Sequence, residues 1–149
     1  MVSYGGLGLL PLAPGTWGTL GAAATAFALL SVWPEGASVW LEVCIGFVVL
    51  SSIVTVAFTP AVERESGKDP QVVVTDEVAG YFATMALVAQ PEPAYLVAGF
   101  FVFRLLDIVK PWPANWLERL PGGWGVLLDD VMAGVYGALV LFAVDVVTS

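Results

Sequence analysis

Four short segments of this 149-residue chain carry side chains at spacings suited to cation or phosphate chemistry. Thr75-Asp76-Glu77-Val-Ala-Gly80 places two adjacent acids at the start of an apolar run. Acids at a helix start are favoured by the helix dipole, so one reading is a cap with an interfacial charge. The other is a hard-cation site, since Mg²⁺ is held through one or two carboxylates together with substrate phosphate oxygens. Arg104-Leu-Leu-Asp107-Ile-Val-Lys110 closes a second run. Residues three apart on a helix are neighbours. Arg104 and Asp107 therefore form either an internal ion pair beside a snorkelling lysine, or a phosphate clamp (Arg104, Lys110) next to a metal-ligating Asp107.

The third segment, Leu128-Asp129-Asp130-Val-Met-Ala-Gly134, follows Gly122-Gly-Trp-Gly125 and opens the last apolar run. Asp76 and Gly80 are four apart, and so are Asp130 and Gly134. Each carboxylate thus stands one turn from a glycine that permits close helix approach, which predicts a packing device shared by two helix mouths. The fourth segment, Pro11-Leu-Ala-Pro-Gly-Thr16-Trp-Gly-Thr19, reads as a helix N-terminus. Its unpaired N–H groups suit an anion; a purely structural cap is the alternative.

Composition narrows the chemistry. Histidine is absent and Cys44 is the single cysteine. Ser-His triads, His-ligated zinc and imidazole bases are excluded, as are an intrachain disulfide and a Cys-cluster metal site. Catalysis must use carboxylates, hydroxyls, Lys and Arg. A net charge of −8, from thirteen acids and five bases, is the wrong sign for a nucleic-acid partner.

The elements that must position these residues are helices in a membrane. The chain is 58% apolar and 12% charged, with a mean hydropathy of +0.87, against roughly 45–50% and about a quarter in soluble domains. Five apolar runs stand out: 16–32, 43–62, 78–91, 93–103 and 131–144. Lipid tolerates only helices or closed barrels, and the period-2 polarity of barrel strands is lacking. The third run would be roughly 21 Å long as a helix against a ~30 Å hydrocarbon core. It either nearly crosses or forms a re-entrant hairpin with the fourth. The expectation is an all-α, polytopic membrane protein with four to five embedded helices, in one domain spanning 1–149.

Charge placement gives the orientation. All five bases (Arg64, Lys68, Arg104, Lys110, Arg119) fall in two connections, 61–75 and 104–128. The positive-inside rule makes both cytoplasmic, which puts all four polar segments, and so the active-site loops, on the cytoplasmic side. The six tryptophans, Trp17, Trp33, Trp40, Trp112, Trp116 and Trp124, sit near run ends and read as an aromatic belt. The segment 113–120 is either a short interfacial helix or a packed loop. Residues 1–14 carry no Lys or Arg and do not read as a cleavable signal.

The segments GLLPLAPGTWGTL (8–20), DPQVVVTDEVAG (69–80), FRLLDIVKPWP (103–113) and GGWGVLLDDVMAG (122–134) together resemble the phosphatidylglycerophosphatase A family, in order and spacing across nearly the whole chain. Thr19 stands where the family often has serine, which keeps the hydroxyl. The resemblance implies an all-helical, Mg²⁺-dependent phosphomonoesterase of the bacterial inner membrane. It would convert phosphatidylglycerophosphate to phosphatidylglycerol and inorganic phosphate. Carried over by position, the motif acids are Asp76, Glu77, Asp107, Asp129 and Asp130, and the accompanying residues are Thr16, Thr19, Arg104 and Lys110.

On that basis Asp76, Asp129 and Asp130 are expected to hold Mg²⁺, with Asp107 a further ligand and Glu77 a ligand or the base toward water. This makes Glu77, Asp107 and Asp130 the catalytic set. Arg104 and Lys110 would neutralise phosphoryl oxygens, Thr16 and Thr19 would complete the anion pocket, and the acyl chains would stay against apolar helix faces. Other phosphatase chemistries fit poorly: no arginine follows Cys44 at the required spacing, and no Asp-x-Asp pattern is present. A small ion or proton transporter or channel is the competing class. Its acids should be staggered toward the bilayer centre rather than gathered at helix ends. A non-catalytic scaffold would leave four converging polar motifs unexplained.

Overall fold

The computed structural model describes residues 2–9, 13–33, 38–66, 72–89 and 91–148. Pro11 and Leu12 of the first motif, Lys68, and 69–71 of the second motif lie outside the described residues. Among the described residues a 3₁₀ turn, Leu7–Leu9, precedes six helices: α1 (Pro14–Val32), α2 (Trp40–Ser66), α3 (Thr75–Met85), α4 (Pro93–Val109), α5 (Ala114–Leu117) and α6 (Gly123–Thr148). No strand occurs among the described residues. Pro14 and Pro93 open α1 and α4, where a missing N–H breaks no helical bond.

The protein is an all-α membrane protein. Among the described residues α1, α2 and α6 are long and apolar enough to cross a bilayer. α4 has 17 residues, and α3 has only 11, about 16 Å at 1.5 Å per residue. The third apolar run thus becomes a short helix that stops at Met85 and gives way to turns. The segment 113–120, read as either a short interfacial helix or a packed loop, is the single turn α5 followed by turns.

α3 is the centre of the bundle. It touches α1, α2, α4 and α6, and Val78, Tyr81, Phe82 and Met85 on it are fully buried. Phe82 stacks on Phe47 of α2 at 4.1 Å between ring centroids. The longer helices surround it and turn large apolar side chains outward, among them Phe27, Ile53, Phe101 and Phe142. That arrangement suits lipid solvent: a helix too short to cross, starting on two adjacent acids, is shielded by protein.

The far end of α3 is tied down by polar groups from its neighbours. The last carbonyls of a helix lack intrahelical partners. Trp40 Nε1 donates to the carbonyl of Met85 at 3.1 Å, and the Tyr81 hydroxyl donates to the carbonyl of Leu96 at 3.0 Å. Trp40 is therefore a correction to the aromatic belt: it is buried, 3% exposed, and serves α3 rather than the membrane interface. The other five tryptophans are exposed near helix ends, as expected.

Candidate metal and phosphate site

The site is built where α3 crosses α6. A Cβ on Gly134 would collide with the carbonyl oxygen of Gly80, and a Cβ on Gly80 would stand 2.8 Å from the carbonyl oxygen of Asp130 and strike Phe103. The two helices thus touch through backbone, and one turn away on each lie Asp76 and Asp130. Carboxylate oxygens of Asp76, Glu77 and Asp130 all lie within 4.8 Å of one another. Asp76 and Asp130 are buried. Asp76 Oδ1, Glu77 Oε2 and Asp129 Oδ1 are buried without a hydrogen-bond partner.

Three acids gathered in a protected place with orphaned oxygens are costly unless a cation joins them. The donor set is all oxygen, which is the preference of Mg²⁺ and Ca²⁺. The residues present therefore fit a hard divalent cation, on the evidence of those orphaned carboxylate oxygens.

The other two motif acids are held by bases. Arg104 Nη1 donates to Asp107 Oδ2 at 2.6 Å across one turn of α4. Lys110 Nζ donates to Asp129 Oδ2 at 2.7 Å and pairs with Glu118 Oε1 at 3.1 Å. Burial works against the Lys110 ammonium, but the hydrogen bond and charge of Asp129, followed by those of Glu118, outweigh it and lift its pKa above the ordinary lysine value. Lys110 also caps α4 with φ 46° and ψ 63°, a left-handed conformation usually left to glycine. Its amide bonds the carbonyl of Leu106 at 2.8 Å.

The first turn of α1 closes against the acids. A Cβ on Gly15 would run into Glu77 Oε1 and stand 3.2 Å from Arg104 Nη1, so a larger residue here would have to displace those side-chain ends. α1 has no side-chain cap, and its N-cap residue is Ala13. Thr16 is half-buried beside it. Thr19 is fully buried, and its hydroxyl donates to the carbonyl of Gly15 at 2.9 Å. At the start of α3, Thr75 does not cap; its hydroxyl bonds that of Thr55 at 2.7 Å.

A cavity of about 420 Å³ opens over this cluster, lined by Asp76, Glu77, Asp129 and Lys110 together with Glu63, Glu118, Arg119 and Gly122. It lies within the ~300–1,000 Å³ range of small-molecule sites. The ends of α2 and α4 and the first turns of α3 and α6 line it; of the four motifs expected to converge, the opening of α1 is not in the lining and meets the cluster only at Glu77 and Arg104. Sequence reading missed Glu63 and Glu118 and used Arg119 only for orientation. A signal for Glu63 existed. Ser51, Thr55 and Thr59 recur every four residues along the mostly apolar middle of α2, all buried, and Glu63 continues that stripe to the cavity, with Oε1 buried and unpartnered.

Comparison with known proteins agrees with the geometry. Residues 1–145 match the family model of phosphatidylglycerophosphatase A. The chain is 38% identical to a provisionally named phosphatidylinositol-3-phosphatase of Bacteroides thetaiotaomicron, over 91% of this chain and 86% of that protein. It is 34% identical to phosphatidylglycerophosphatase A of Escherichia coli (92% and 77% covered). It is 31% identical to phosphatidylglycerophosphatase A of Haemophilus influenzae (94% and 83% covered). No solved structure matches.

Proposed function

The chain belongs to the phosphatidylglycerophosphatase A family of membrane lipid phosphatases, and from that premise we propose that it hydrolyses phosphatidylglycerophosphate to phosphatidylglycerol and inorganic phosphate with the help of Mg²⁺. It would do so as one helical domain over 1–149, with the site on the cytoplasmic face of a bacterial inner membrane. The observation that carries the reading is the Asp76, Glu77 and Asp130 cluster, with orphaned oxygens, beneath a cavity that also holds Lys110 and Arg119.

Asp76, Glu77 and Asp130 would hold the cation, with Asp129 offering its unpartnered Oδ1. When bound, Mg²⁺ supplies Lewis-acid stabilisation of charge on phosphoryl oxygens. Lys110 meets the phosphate from the cavity wall, and Arg104 does so beside the start of α1. Both act through positioning and charge, which dominate phosphoryl transfer. Glu77, a cation ligand, is also the residue placed to accept a proton from the attacking water. The water oxygen bonds phosphorus as the bond to the glycerol oxygen breaks, and that oxygen leaves with a proton drawn from solvent. Asp107 holds Arg104 in place through their 2.6 Å bond, and Thr16, in the first turn of α1, would complete the anion pocket. Thr19, spent on the Gly15 carbonyl, supports the turn that carries Gly15 and Thr16.

Asp76 and Glu77 sit in the first turn of α3 and Asp107 in the last turn of α4, while Asp129 and Asp130 lie about two turns inside α6; their gathering in one cluster supports hydrolysis over transport, where carboxylates are distributed along the path. The Bacteroides relative raises a second substrate, an inositol lipid phosphate. The deciding experiment measures phosphate release by the purified protein from phosphatidylglycerophosphate and from phosphatidylinositol 3-phosphate, alongside cation flux in proteoliposomes. Release from the first substrate is expected. Flux without release would overturn the proposal, and release from the inositol lipid alone would change the substrate.

A further inference from the structure

Between α1 and α4 runs a groove of about 440 Å³ that the chemistry above does not use. Its walls are Leu20, Ala24 and Phe27 on α1 and Val97, Phe100 and Phe101 on α4, all apolar. Leu20, Ala24, Phe27, Val97 and Phe101 are exposed on the outer face of the bundle, where the surrounding medium is lipid. Along the helices the groove extends for about two turns, roughly 12 Å.

The groove leads to the site. One turn from Leu20 on the same face of α1 is Thr16, and one turn from Phe100 on the same face of α4 is Arg104. Those two residues flank Gly15, where Arg104 and Glu77 close on the first turn of α1. An apolar channel open to lipid therefore ends at a guanidinium beside the cation cluster. That is the complement of an amphiphile whose phosphate lies next to its hydrocarbon. The apolar walls offer an occupant no hydrogen bonds, so it must be bound by area alone.

We propose that the α1–α4 groove seats one acyl chain of the phospholipid substrate, so that the lipid is held by its tail while its phosphate reaches Arg104. This rests on the proposed lipid phosphatase reading and adds the route by which the lipid enters: sideways from the bilayer, along α1 and α4. Ala24 is the position that keeps the groove open, since it is the smallest exposed residue along its α1 wall.

The test fills the groove from its exposed rim. Ala24→Phe and Val97→Trp are compared with Ile53→Phe, an equally lipid-facing change on α2 away from the groove. Hydrolysis is measured on long-chain phosphatidylglycerophosphate in mixed micelles and on its deacylated head group. The groove variants should lower the ratio of kcat/KM on the long-chain lipid to that on the head group by about tenfold, and Ile53→Phe should leave the ratio unchanged. An unchanged ratio in both groove variants overturns the groove.

Where a variant loses both activities, the wild-type protein decides instead. A phosphatidylglycerophosphate analogue with a diazirine midway along its acyl chain should label peptides of α1 and α4. Label confined to other helices, or disulfide cross-linking of Ala24→Cys to a second copy, overturns the proposal. Labelling needs no turnover. A wild-type protein that labels on α1 and α4 but releases no phosphate would thus fail the functional reading and keep the groove.

Discussion

Gly80 and Gly134 meet backbone to backbone, and this one contact brings Asp76 of α3 to Asp130 of α6. The Asp-x-x-x-Gly spacing, at the start of α3 and, contrary to the expected second helix mouth, about two turns into α6, is a single device. The glycine lets the helices close, and the acid one turn away inherits the proximity. The first expectation follows directly. Gly134→Val adds side-chain atoms where even a Cβ would strike the Gly80 carbonyl, so the helices must part. Overpacking of this kind costs about 1–3 kcal/mol, and displacement of reacting groups by ~1 Å can cost on the order of 10²-fold in rate. Phosphate release should drop far more than the thermal midpoint does. A variant with wild-type activity would mean that the acids do not depend on this crossing.

Asp130→Asn keeps the shape of the side chain and removes a ligand charge. Phosphate release should fall by on the order of 10³-fold or more, while membrane insertion and elution volume stay as in the wild type. Mg²⁺ should also cease to raise the thermal midpoint of the variant, a linkage readout that needs no substrate. Near-normal release would remove Asp130 from the working cluster.

Chelation addresses the cation itself. Turnover should stop in EDTA and return on adding Mg²⁺. In addition, Asp76, Glu77 and Asp130 should repel one another more strongly in chelator, which lowers the thermal midpoint. Activity that persists after exhaustive chelation would show that the acids work without a metal.

Lys110 joins two roles, an ammonium held by Asp129 and Glu118 and a left-handed cap of α4. Lys110→Ala and Lys110→Gly both remove the ammonium, and both should raise KM for the phospholipid and lower kcat/KM. They differ in the backbone. Glycine adopts φ 46° without strain and alanine does not, so the glycine variant should be the more stable by about 1 kcal/mol. Equal stability of the two would show that the cap is unstrained. The charge effect has a pH sign. The pKa of Lys110 is raised in the folded protein, so the stability it contributes is fully present below the ordinary lysine range and is lost only as pH climbs through the raised value. Stability of the wild type should therefore fall on strongly alkaline titration, and by less in either variant.

Trp40→Phe separates fold from chemistry. The ring packing against Phe82 is largely kept, while the Met85 carbonyl loses the indole donor and keeps only the Val88 amide at 3.2 Å. Losing one buried hydrogen bond costs about 0.5–1.5 kcal/mol, which should lower the thermal midpoint with kcat within twofold of wild type.

The membrane class, the all-helical fold and the one-ended placement of the motifs were legible in the sequence, because hydropathy, helix period and charge position are local properties. The same locality exposed the paired Asp-x-x-x-Gly spacing, since four residues make one turn wherever the helix lies. Which acids share a centre was not local. Asp107 and Asp129 carry the same charge as Asp76 and Asp130, yet the fold gives them to Arg104 and Lys110 and leaves the others with Glu77. Nor could run lengths reveal that the 11-residue α3 is the core, that Trp40 turns inward to serve it, or that Glu63 reaches the cavity. Each of these depends on the crossing of helices distant in sequence, and close backbone contact at two glycines, not hydropathy, decided that crossing.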